Sequence, residues 1–148
     1  MRVTPSPVSA NAPRVLPALD DSTRPFWTSG ADGVLRVQYC PSCGRFVLPP
    51  RAGCPDCGAG CDYAAVSGAA TLFTYTVAHQ QFHPSVPTPF IIALVELAEQ
   101  PELRMVTNIV DCDPEDLVTG MPLTVRFEQH EHNTGTVYVP VFAPAALT

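Results

Sequence analysis

The sequence predicts a mainly β chain: a short N-terminal helix, a cysteine-rich ribbon, then a small C-terminal barrel. Three observations predict it. Two Cys-Pro-x-Cys-Gly units stand ten residues apart in CPSCGRFVLPPRAGCPDCG, residues 40–58. From Asp62 onward, short runs rich in Val, Ile, Thr, Phe and Tyr alternate with turn residues. Ahead of the cysteines, DDSTRPFWTSGADG (20–33) carries helix start and stop signals.

In chain order, residues 1–17 hold four of the seventeen prolines and little apolar pattern, which predicts a mobile arm. In 20–33, Asp21 or Ser22 can cap a helix, Pro25 is tolerated in its first turn, and Gly30 or Gly33 can end it. Phe26 and Trp27 are its large apolar groups, suited to packing on the body of the protein or to anchoring a partner. VLRVQYC (34–40) and RFVLPP (45–50) read as a hairpin whose tip carries the first Cys pair. Six candidate strands follow, over 62–66, 70–79, 89–97, 103–110, 122–130 and 136–142, with DPEDLVTG (113–120) as a helical turn ended by Gly120. Five or six strands interrupted late by one short helix suit a small closed barrel, and the OB-fold is the named candidate. The expected divisions are an arm (1–17), a helix (18–33), a ribbon (34–60) and an OB-fold barrel (61–148).

A Cys-x-x-Cys unit bends two sulfurs onto one ion. The proline after the first Cys presets φ for the turn. The glycine after the second permits φ > 0, so that backbone N–H groups can face the sulfurs. Cys40, Cys43, Cys54 and Cys57 therefore predict one tetrahedral zinc per chain. Iron is the runner-up, since rubredoxin-type sites use the same units, and dithiol redox chemistry ranks below both. Four thiolates leave no open coordination position, which makes the metal structural. Cys61 is a spare ligand or a small buried residue. Cys112, in VDCDPED, has acidic neighbours that disfavour its thiolate.

Charge and composition narrow the function. The net charge is −6, only 15% of residues are charged, and the eight basic residues are all Arg. Absence of Lys removes Schiff-base and P-loop chemistry. An acidic chain is also a poor counterion-release partner for nucleic acid, so an OB-fold nucleic-acid binder ranks low. No apolar run approaches a span of about eighteen residues, and no signal peptide is legible, so a cytoplasmic location with no membrane role is expected. No G-x-S-x-G or H-E-x-x-H motif occurs, and no catalytic residue is assigned. His79, His83, His130 and His132 read as surface or loop residues. The acidic group Asp111, Asp113, Glu115 and Asp116 lacks EF-hand spacing and reads as the charged start of a turn. The loop 80–89, with Phe82, His83 and three prolines, is the next candidate for a binding role.

The ordered set PFW (25–27), GVLRVQYCPSCG (33–44), LPPRAGCPDCG (48–58), VSGAATLFTYTVAH (66–79), PFIIALVEL (89–97), GMPLTVRFE (120–128) and PVFAPA (140–145) resembles the zinc-ribbon and OB-fold family catalogued as domain of unknown function thirty-five. The resemblance covers about residues 20–146. Members usually show Ser-Gly-x-Gly after the ribbon, whereas the run here is Ser67-Gly68-Ala69-Ala70. The resemblance implies a non-catalytic helper that associates with thiolase-superfamily proteins or acyl-CoA hydratases in a hetero-oligomer. The partner carries the catalytic Cys, His or Tyr, and the helper stabilises it and can border the acyl-CoA path. Steroid side-chain aldolases are the leading expectation among such partners. That choice rests on the association of an all-Arg, Ala- and Pro-rich composition with high-GC, steroid-degrading bacteria. Arg51, Phe26, Trp27, Phe82 and His83 are the candidate contacts to CoA or partner. A stand-alone acyl-CoA binding module is the alternative.

Overall fold

The computed structural model describes residues 16–21, 23–81 and 87–145. The expected arm, apart from residues 16 and 17, lies outside them, as do Ser22, Phe82 and His83. Among the described residues, no helix is long and apolar enough to cross a membrane.

The chain opens with α1 (Arg24–Trp27) and a 3-10 turn, Ser29–Asp32. The sequence predicts one helix over 20–33, and the structure breaks it in two. Ser29 is the reason: its hydroxyl donates back to the Phe26 carbonyl at 2.7 Å and accepts the Arg36 N–H at 3.1 Å. That competition with the backbone ends the helix after one turn. Asp20 supplies the N-terminal contact expected of Asp21 or Ser22, accepting from Thr23 N–H at 2.9 Å. Gly33 closes the segment at φ 77°. Phe26 is 5% exposed and enters the main core, with Trp27 edge-on to it at 4.9 Å.

β1 (Arg36–Cys40), β2 (Arg45–Val47) and β3 (Asp62–Ala65) form an antiparallel sheet in the order β2-β1-β3. β2 stops at Val47 rather than residue 50, because Pro49 and Pro50 have no N–H to extend the ladder. Pairing places 62–65 in the ribbon sheet, with Gln38 opposite both Val47 and Tyr63.

β4 (Ala69–Ala78), β5 (Phe90–Leu97), β6 (Arg104–Asn108), β7 (Pro122–His132) and β8 (Gly135–Pro144) form the second sheet, in the order β6-β5-β4-β7-β8, each pair antiparallel. β5 alternates strictly, burying Ile91, Ala93, Val95 and Leu97. A register shift between Leu72 and Thr74 leaves Phe73 as the extra residue of β4; it is exposed, and the Arg104 guanidinium lies 3.8 Å from its ring centroid. The expected barrel closes less completely than a continuous ladder would. Its edges meet at one parallel bridge, Ile109–Phe142, where Val110 N–H reaches the Phe142 carbonyl at 2.8 Å. The expected helical turn over 113–120 shortens to a 3-10 turn, Pro114–Asp116, capped by Asp113, whose side chain accepts from Glu115 N–H. Leu117 returns to extended backbone so that its side chain can enter the core.

One core runs through both sheets. Phe26, Leu35 and Val37 share it with Leu72, Val95, Leu123 and Phe142. A second cluster, Leu19, Val110, Val137, Val139, Val141 and Ala143, lies along β8, with Leu16 and Trp27 packed on it.

Candidate metal centre and adjoining groove

Cys40 ends β1, Cys43 sits in the β1–β2 turn, and Cys54 and Cys57 lie in the long connection to β3. The two knuckles have the same local design. Gly44 N–H donates to the Cys40 carbonyl, and Gly58 N–H to the Cys54 carbonyl, both at 2.8 Å. Both glycines have φ near +70°, at 67° and 74°, a region that a side chain disfavours. The turns aim N–H groups at sulfur: Cys43 N–H lies 3.4 Å from Cys40 Sγ, and Asp56 N–H 3.4 Å from Cys54 Sγ.

All four Sγ atoms lie within 4.8 Å of one another. Cys40 and Cys57 are 3.6 Å apart, and Cys43 and Cys54 are 3.9 Å apart. A tetrahedron with metal–sulfur bonds of about 2.3 Å has edges of about 3.8 Å. The donor set therefore fits a metal ion, with two ligands buried and two exposed. As thiols the four are unequal. N–H groups of Asp56 and Cys57 hold Cys54 down to about 7, and hydrogen bonds with Cys57 and Cys54 push Cys43 up to about 12. Cys40, Cys43, Cys54 and Cys57 would hold such an ion as thiolates, and the bound ion would lock the ribbon. Cys61 stands outside the group, its thiol directed at the Ala59 carbonyl and pushed up by burial and the neighbouring sulfurs. Burial, then Asp116 and Asp113, raises the Cys112 thiol in the same direction.

Sequence reasoning missed two glutamines that hold this ribbon. Gln38, 4% exposed on β1, donates to the Arg51 carbonyl at 2.6 Å and accepts from Arg51 N–H at 2.7 Å. Gln100, in the β5–β6 turn, accepts from Phe46 N–H at 2.8 Å and donates to the Phe46 carbonyl at 3.2 Å. Gln38 fixes the loop between the knuckles; Gln100 ties edge strand β2 to the barrel. Nothing in the local sequence signals either, since both bonds join residues far apart in the chain.

Beside the ribbon runs a groove of about 550 Å³, lined by Phe26, Trp27, the Leu48–Pro50 segment, Arg104–Asn108 of β6, and Val139 and Pro140 of β8. Its lining is mainly apolar, and Val106 is 71% exposed there. The structure thus brings Phe26 and Trp27 to the same groove as Pro50, the neighbour of exposed Arg51.

His79 is exposed at the end of β4. His130, expected at the surface, is buried with Glu128 on β7, their side chains 3.2 Å apart. Both face inward because they stand opposite Val137 and Val139 in the β7–β8 register. His132 bonds to Thr134 in the following turn.

Two family models match the chain: "ChsH2, rubredoxin-like zinc ribbon domain" over residues 27–63 and "ChsH2, C-terminal OB-fold domain" over residues 63–128. A probable enoyl-CoA hydratase alpha subunit of Thermomonospora curvata is 34% identical over 122 residues, covering 81% of this chain and 37% of the relative. The 3-oxo-4,17-pregnadiene-20-carboxyl-CoA hydratase alpha subunit of Mycobacterium tuberculosis is 31% identical over 111 residues, covering 75% and 35%. A DUF35 domain-containing scaffold protein of Methanocaldococcus jannaschii is 34% identical over 95 residues, covering 61% and 64%. The chain thus spans little more than a third of either alpha subunit and just under two thirds of the scaffold protein. Among solved structures, the Ltp2-ChsH2(DUF35) aldolase matches with a TM-score of 0.73 and 31% identity, covering 88% of this chain and all of the matched one.

Proposed function

Since this chain belongs to the DUF35 family, a zinc ribbon joined to an OB-fold, we propose that it is a non-catalytic accessory subunit that binds and stabilises a separate acyl-CoA enzyme. The observation that carries the reading is the match to the whole of one chain of an aldolase whose name joins ChsH2(DUF35) to a second component, Ltp2. The scaffold protein and the two alpha subunits among its relatives support the same role.

The partner proposed is a thiolase-superfamily protein, with a retro-aldolase of steroid side-chain degradation as the specific form. The steroid carboxyl-CoA substrate in the name of the mycobacterial relative supports that form. The metal is zinc, one per chain, held by Cys40, Cys43, Cys54 and Cys57, and its task is to keep the ribbon in shape. The groove beside Trp27 is the proposed contact surface, and exposed Arg51, next in the chain to Pro50 of its lining, is the proposed partner of a CoA phosphate. Phe82 and His83 remain candidate contacts of the loop between β4 and β5. The assembly is cytoplasmic in this reading.

Affinity purification of the tagged chain from its native cells tests the proposal. A thiolase-superfamily protein at comparable abundance is expected. A hydratase in its place keeps the accessory role and replaces the partner. A lone, stable chain that gives heat with long acyl-CoA esters in calorimetry transfers the reading to a stand-alone acyl-CoA binding module.

A further inference from the structure

β4 runs for ten residues, but its two sides are not equally filled. β5 pairs with it over 70–78, whereas β7 pairs only with 69–71. One residue further, Leu72 N–H donates to the Met121 carbonyl at 3.0 Å, and the Leu72 carbonyl accepts from Gly120 N–H at 2.7 Å. Over 73–78, that side of the strand meets no backbone partner among the described residues. Alternate residues of a strand direct N–H and C=O to alternate sides, so this stretch is an open strand edge. Burial agrees. Phe73, Thr74, Tyr75 and Thr76 are exposed in succession, where a strand covered on one face alternates as β5 does.

Exposed strand edges are commonly guarded by charge or proline. AATLFTYTVA (69–78) has neither. The bulge at Phe73 and the Arg104 guanidinium stacked on its ring cover only the start of the edge. Flanking it is the turn bonded to Leu72, where Val118 is 63% exposed. No residue of β4 lines the groove beside Trp27, so this surface is separate from that one.

We propose that this edge pairs with the same edge of a second copy of the chain, antiparallel about a two-fold axis at Tyr75. In that register Tyr75 stands opposite its own copy, Thr74 opposite Thr76, and Phe73 opposite Val77. All three pairs are of classes that stabilise antiparallel strands: aromatic with aromatic, Thr with Thr, aromatic with β-branched. The two-fold axis makes the strip its own complement, since each off-axis pair is made twice. Charge selects the same occupant. The chain carries −6, but residues 69–78 carry no charge, so two copies meet here without like charges opposed. A charged partner segment finds no counter-charge on the strip. The Leu72 bonds to the 120–121 turn end the free edge, so the pairing is confined to 73–77 of each copy. So short a contact predicts a weak dimer that forms as concentration rises.

Sedimentation velocity of the isolated 148-residue chain over a concentration series tests the proposal, with Tyr75→Lys and Val106→Asp alongside. Circular dichroism and metal content check the fold of each. Tyr75→Lys sets two ammonium groups face to face on the axis, whereas Val106→Asp places a charge in the groove and leaves the edge untouched. Expected is a mass that climbs towards two chains in the unsubstituted protein and in Val106→Asp, and stays at one chain in Tyr75→Lys. Tyr75→Cys reads the register independently of any loss of fold. With oxidised glutathione it should give a disulfide-linked dimer that neither the unsubstituted chain nor Thr71→Cys, which lies in the paired part of β4, gives. A single-chain mass at every concentration overturns the proposal. So does a dimer that survives Tyr75→Lys, or one that Val106→Asp abolishes, which assigns the contact to the groove. The inference does not rest on the accessory role, and the isolated chain keeps its outcome separate from the identity of any partner subunit.

Discussion

A side-chain amide carries the same donor and acceptor as a peptide group. Gln38 and Gln100 use it that way, each bonding both polar groups of one backbone residue, Arg51 and Phe46. Each net bond is worth about 0.5–1.5 kcal/mol. Gln100→Ala is expected to lower stability by about 1–3 kcal/mol in urea denaturation, with metal content unchanged. Gln38→Glu should cost more than Gln38→Ala, because a carboxylate buried there faces the Arg51 carbonyl without a proton to give. Gly68 is a second residue-scale constraint. At φ 84° it passes its carbonyl to Val125 N–H at 2.9 Å, and a Cβ would run into Val125 Cγ1. Gly68→Ala is therefore expected to destabilise by about 1–3 kcal/mol, read in the same denaturation assay. Ala70, where the family turn has its second glycine, is buried in β4 and pairs with Leu97 and Leu123, so a methyl group has its place there.

At the scale of elements, the four-cysteine cluster predicts a ribbon that depends on a bound ion. Chelation at neutral pH, or Cys54→Ser, should lower the melting temperature and open the segment 40–60 to proteolysis, while β4–β8 keep their amide-exchange protection longest. The 3-10 turn carries a smaller, pH-dependent contribution. The Arg36 guanidinium hydrogen-bonds Asp32 at 2.7 Å and holds its carboxyl down to about 2. The folded value lies below the unfolded one, so the stabilisation is present above about pH 4 and is lost as pH falls towards 2. Asp32→Asn should flatten the stability profile only in that window. Strands were legible in the sequence because alternation along β5 and β7 mirrors the pleat, and the clustering of the four cysteines because Cys-Pro-x-Cys-Gly encodes its own turn. Helices were less so. A 14-residue stretch with caps at both ends yielded four residues of α-helix, since the Ser29 hydroxyl bonds the backbone and no propensity reading weighs that. The burial of His130 was likewise set by register with Val137, a pairing that local sequence does not display.

For the whole molecule, the contact surface can be probed without disturbing the core. Val106 is 71% exposed, and its substitution by Asp should change stability by no more than about 0.5 kcal/mol. The same change in the groove should weaken recovery of the partner in affinity purification; recovery equal to that of the unsubstituted chain would place the interface elsewhere. The manner in which ribbon meets barrel has one more implication. One polar tie across that joint is the uncharged Gln100 amide in the β5–β6 turn, beside shared apolar packing of Phe46 on the main core. Neither element titrates, and neither is screened by counterions. The hold of Gln100 on edge strand β2 should thus be indifferent to ionic strength, unlike surface ion pairs such as Arg104–Glu96. That edge of the ribbon should keep its place on the barrel while the salt around it changes.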